Sequence, residues 1–169
     1  PTLYDQGDDV IATDIVVEVY DAEKDLVFTA TIKSTEQTAF TLPRTASPGI
    51  WKIKTTALDV DATILITVTE LESIDITQEG TTITLTNTGN KKVKDILTIT
   101  LTDKNNPDNI IEKEKSISLK VGKSMTIDLA RFADAGTYTV AVGEKTFDNI
   151  EILKRKRDLF PYLAAVLGI

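Results

Sequence analysis

Pro48-Gly49-Ile50-Trp51-Lys52-Ile53-Lys54 and Ala135-Gly136-Thr137-Tyr138-Thr139-Val140-Ala141 follow one pattern. In each, a Gly is followed two residues later by an aromatic side chain, and then by an alternating strand. Gly49 and Gly136 stand 87 residues apart. A spacing of that size is the length of one small β-sandwich module, so the chain reads as two such modules in tandem.

Working outward, period two dominates. Ile15, Val17 and Val19 alternate with Val16, Glu18 and Tyr20, and Ile64, Ile66 and Val68 repeat the pattern. In the second half, Ile83 and Leu85, then Leu97, Ile99 and Leu101, then Tyr138, Val140 and Val142 do the same. Such alternation puts one face of a strand in a core and the other in water. Ile74 and Ile76 before Glu79-Gly80, with Ile83 and Leu85 after, predict a hairpin. Asp128 to Ala135 predicts one short helical turn between strands. The expected fold is all-β: two tandem Ig-like β-sandwich domains, residues 1–71 and 72–153, with a short C-terminal tail, 154–169. The boundary near Leu71 to Ser73 holds no Gly or Pro, which predicts a stiff connection.

Composition narrows the chemistry. The 169 residues include no Cys and no His. Disulfides, zinc–thiolate sites and every mechanism that needs an imidazole are therefore excluded. The formal net charge of -7 argues against a nucleic-acid partner, because phosphate neutralisation needs a basic face. No Asn-x-Ser/Thr sequon is present, so N-linked glycosylation is not expected. No pair of carboxylates is singled out by its spacing, and an enzyme is not expected.

Two features point to binding. Asp103, Asn105 and Asp108 form an oxygen-rich turn and are candidate calcium ligands. The same residue types favour turns through side-chain hydrogen bonds, which is the stronger reading, so no cofactor is expected. The second feature is the tail. Lys154, Arg155, Lys156 and Arg157 precede an apolar run that includes Leu159, Phe160, Leu163 and Leu167. It reads as the start of a membrane helix, as an assembly segment for a neighbouring subunit, or as a strip packed on its own sandwich. Its Leu and Ala content favours helix. Basic residues before a membrane helix prefer the cytoplasmic side, which counts against the first reading. Trp51 and Tyr138, at inward phases of their strands, read as core residues.

Several segments resemble modules of archaeal and bacterial surface proteins. Leu3-Tyr4-Asp5-Gln6-Gly7-Asp8-Asp9-Val10, Val17-Glu18-Val19-Tyr20-Asp21, Leu42-Pro43 and Pro48-Gly49-Ile50-Trp51 resemble macroglobulin-like and Ig-like modules. The stretch Ile83 to Asn90, ending Asn87-Thr88-Gly89-Asn90, resembles CARDB-type adhesion modules. Asp134-Ala135-Gly136-Thr137-Tyr138 resembles the tyrosine corner of immunoglobulin domains, with Val140 where antibody domains carry Cys. The resemblance implies an extracellular or cell-surface location and a non-catalytic structural or adhesive role. The alternatives are a self-assembling filament or sheath subunit, and a carbohydrate- or protein-binding module. The implied partners are neighbouring domains or subunits, and a membrane through the tail.

Overall fold

The computed structural model describes residues 2–4 and 6–153. The protein is all-β, with three antiparallel sheets. Its N-terminal sheet is built from β1 (Asp14–Tyr20), β2 (Leu26–Lys33), β3 (Gly49–Ala57) and β4 (Val60–Val68), in the order β2-β1-β3-β4. Ile15, Val17 and Val19 of β1 are buried and their neighbours Asp14, Val16 and Glu18 are not. That is the pleat acting on an alternating sequence. A register shift between Val19 and Tyr20 ends the regular pairing of β1 with β2. β3 and β4 form a continuous hairpin from Gly49↔Val68 to Ala57↔Val60.

The layer over this sheet is irregular chain. Ala46, from the segment between β2 and β3, is buried beside Val19 and Trp51, with Phe28 and Phe40 against them. Leu3 packs on Ile15, Val17 and Ala57 at the other end. Phe28, Phe40 and Trp51 form a ladder of rings, with centroids 5.1 Å and then 6.4 Å apart. Those spacings suit tilted aromatic contacts, worth about 0.5–1.5 kcal/mol each beyond area burial. Gly49 sits at φ +137°, and a Cβ there would lie 2.8 Å from the Cβ of Ala22. The Gly of the Pro48-Gly49-x-Trp51 pattern is therefore set by backbone angle and by close packing together.

The remaining strands are β5 (Ile74–Glu79), β6 (Thr82–Asn87), β7 (Val93–Asp103), β8 (Ile110–Leu119), β9 (Ser124–Asp128), β10 (Gly136–Val142) and β11 (Lys145–Ile152). They make a three-stranded sheet, β5-β6-β9, and a four-stranded sheet, β11-β10-β7-β8. The alternating residues Ile83, Leu85, Ile99, Leu101, Val140 and Val142 are fully buried. Burying one such side chain stabilises by roughly 1.5–3 kcal/mol, so these alternations supply the dominant favourable term. The expected helical turn is a short 3-10 turn, Leu129–Arg131, capped by Asp128 Oδ1 accepting from Ala130 N at 3.1 Å.

The chain forms two compact units. One comprises the described residues through Asp75 together with Thr86–Lys94 and Ser118–Ser124. The other comprises Ile76–Leu85, Asp95–Ile117 and, among the described residues, those from Met125 to Leu153.

Candidate functional site

The most elaborate polar arrangement lies in the first unit, around Asn87-Thr88-Gly89-Asn90. Asn87 and Asn90 are both buried. Asn87 donates through Nδ2 to the carbonyls of Lys91 at 2.7 Å and Leu119 at 3.0 Å, and its Oδ1 accepts from Gly89 N at 3.0 Å. Asn90 turns the other way, onto the segment between β4 and β5. Its Oδ1 accepts from Leu71 N at 2.6 Å and its Nδ2 donates to Thr69 O at 2.9 Å. Backbone bonds from Asn90 N to Leu71 O and from Thr88 N to Ser73 O, both 2.9 Å, close the contact. A Cβ on Gly89 would lie 2.1 Å from Leu71 O, so only Gly lets the two chain segments approach this closely. Outside the contact, Lys91 Nζ sits 2.6 Å from Glu70 and 3.2 Å from Glu72. The hydrogen bond to Glu70, then that to Glu72, raises the Lys91 pKa. These pairs are exposed and add little stability, whereas the buried amides carry the geometry.

The second feature is an apolar groove of about 400 Å³ on the inner face of the N-terminal sheet. Phe28, Phe40, Leu42, Ile53, Ile64 and Ile66 are among the side chains that line it. No titratable side chain lines it, so it suits apolar packing and no acid–base step. At the groove's open side, Ile64 is 60% exposed.

Trp51, expected in the core, is there. It is 3% exposed and its Nε1 donates to Ser47 O at 2.8 Å. Tyr138 is also buried, and its hydroxyl donates to Asp134 O at 3.2 Å. Burial, followed by the charges of Asp103 and Asp134, raises its pKa. Both rings are satisfied structural elements rather than exposed platforms for a ligand.

The candidate calcium residues sit at the turn between β7 and β8. Asp103 Oδ1 accepts from Asn105 N at 2.8 Å, and Asn109 N donates to Asn106 O at 2.8 Å. Asp108 is exposed in the same turn. The Asp103 carboxylate thus makes the side-chain-to-backbone bond that shapes such turns. Asp21 does likewise for Asp25 N at 2.8 Å. Among the described residues, no three His, Cys, Asp or Glu side chains converge as a metal site. Asp61 is held below the usual carboxylate range by the Thr56 hydroxyl and then by Lys54. A general acid needs the opposite displacement. Lys154, Arg155, Lys156, Arg157, Leu159, Phe160, Leu163 and Leu167 lie outside the described residues. Among the described residues, no helix is long and apolar enough to cross a membrane.

The sequence did not single out the burial of Asn87 and Asn90 or the open groove. The Asn-x-Gly-Asn turn was the available signal for the first. The second had none, because alternation does not say what covers a face.

No protein-family model matches the chain, and no curated protein matches it. Among solved structures, one described as "Biofilm associated protein - BSP domain" is similar, with 20% identity and a TM-score of 0.29. The match covers 86% of this chain and 26% of that one, so the chain spans about a quarter of that structure's length.

Proposed function

We propose that this chain is a non-catalytic structural part of a cell-surface protein, a spacer that holds or displays other parts. The observation that carries the reading is the pinned connection between β4 and β5. Thr69, Leu71 and Ser73 are each bonded to the Thr88–Asn90 turn, through Asn90 or through Thr88. The segment lies inside the first compact unit, and anchoring at every second residue leaves it few accessible conformations, which supports a stiff structural element over a free linker. The strand orders β11-β10-β7-β8 and β5-β6-β9, with the Tyr138 corner, support an Ig-like reading of that part.

The test is labelling of intact producing cells with antibody against the folded chain. Labelling without permeabilisation is the expected result. Labelling only after permeabilisation overturns the surface placement. Replacement of the chain by an unrelated stiff module of equal length, within the protein that carries it, tests the spacer role. Retained function is expected, and loss of function transfers the role to this chain's own surfaces.

A second reading, a self-assembling subunit, is favoured by one observation, the exposed apolar edge of the N-terminal sheet.

A further inference from the structure

β4 is an outermost strand of its sheet and, among the described residues, is paired on one side by β3 alone. Proteins usually protect such an edge with Lys, Pro, a bulge or shortness. β4 has none of these. It is nine residues long, Val-Asp-Ala-Thr-Ile-Leu-Ile-Thr-Val, and pairs with β3 without a register shift. Val60, Ile64 and Leu65 are 55%, 60% and 63% exposed, so apolar side chains stand open on both faces.

We infer that β4 is the docking edge for a second copy of this chain, through antiparallel β4–β4 pairing about a two-fold axis at Ile64. The strand's own sequence argues for this occupant. One register alone uses all nine residues of both strands, and it sets Ile64 opposite Ile64, Ala62 opposite Ile66 and Asp61 opposite Thr67. Asp61 is the only charged residue of β4, so no like charges meet. Its charge is already answered by Lys54 at 3.1 Å within its own copy. The two-residue turn Leu58-Asp59 makes Ala57–Val60 the closing pair of the hairpin. Alternation from that pair turns the backbone groups of Asp61, Thr63, Leu65 and Thr67 to the free side. In this register Thr63 meets Leu65 and Asp61 meets Thr67, so each outward group finds an outward group. Ile64 falls at a close, non-hydrogen-bonded pair on the groove face. Pairing extends the apolar groove from one copy into the next, and covers the Ile64 side chain that one copy leaves in water. This goes beyond the spacer role, which stands whether or not copies pair.

The chain has no Cys, so a single introduced Cys reports on a single position. The register puts the two Ile64 Cα atoms about 4.5 Å apart, within disulfide reach. It puts the two Val60 Cα atoms about 27 Å apart, at eight residues of strand rise. The experiment is oxidation of full-length Ile64→Cys and Val60→Cys, with sedimentation of the wild type and of Thr63→Pro. Proline at 63 removes an outward N–H and leaves the bonds to β3, and Trp51 fluorescence checks the fold. Expected are a covalent dimer from Ile64→Cys alone and a dissociation constant raised at least about tenfold by Thr63→Pro. Equal cross-linking at 60 and 64 overturns the proposal. So does a wild type that stays monomeric at about 100 μM, or a dimer unaffected by Thr63→Pro.

Discussion

Leu71 and Asn90 are joined by two hydrogen bonds of opposite sense. Leu71 N donates to Asn90 Oδ1 at 2.6 Å, and Asn90 N donates to Leu71 O at 2.9 Å. Nineteen residues separate them, so the pair fastens the connection after β4 to the turn after β6. Asn90→Ala removes the acceptor for Leu71 N and the donor to Thr69 O. A cost of about 1–3 kcal/mol is expected in denaturant melts, with faster amide exchange at Leu71. Unchanged exchange at Leu71 contradicts the role.

Gly89→Ala places a methyl group where Leu71 O already sits. Backbone must move, so a loss of at least about 1–3 kcal/mol is expected. Gly122→Ala is the control for backbone conformation. Gly122 has φ +68° and nothing within 4 Å of an added Cβ. Its loss is expected to be the smaller of the two.

Trp51→Ala is expected to cost about 3–5 kcal/mol, because the ring fills the space between Val19, Ala46 and Phe40. Trp51→Phe keeps most of that volume and gives up the bond from Nε1 to Ser47 O, at about 1 kcal/mol. Equal losses for the two variants in urea melts contradict the packing account.

Leu58 holds a left-handed φ of +53° at an exposed turn. A side chain with a Cβ is strained there by roughly 1–2 kcal/mol. Leu58→Gly is expected to raise the denaturation midpoint, which is the reverse of the usual effect of adding Gly to a chain.

Asp61 gives the pH dependence. Its folded pKa lies below the unfolded value of about 3.9, so its contribution is full above that pH and is lost as pH falls through the folded pKa. The Thr56 hydroxyl, at 2.7 Å, is the larger cause. Carboxyl titration by NMR is expected to show a midpoint below about 3.9, moved upward more by Thr56→Val than by Lys54→Met.

The strands were legible because period two is a local property. Ile15, Val17 and Val19, and Ile83 and Leu85, each announce a shared face, and each face is buried. The inward placement of Trp51 and Tyr138 was legible for the same reason. β4 shows where that logic stops. Ile64 and Ile66 alternate as Ile83 and Leu85 do, yet Ile64 is open to water. Periodicity tells which residues share a face, and the cover of that face depends on chain far away in sequence. Here the cover is irregular, from residues such as Phe40 and Ala46, which carry no strand signal. Asn87 and Asn90 read as turn residues for a similar reason, because Leu119 and Leu71, their partners, lie 32 and 19 residues away.

Backbone order of residues 69–73 tests the central claim most directly. ¹⁵N relaxation on the full chain reads it, with β1 and β10 as internal references. A pinned spacer gives order parameters near those of the strands, about 0.85, at Leu71 and its neighbours. Values below about 0.6 there describe a free linker and contradict the claim.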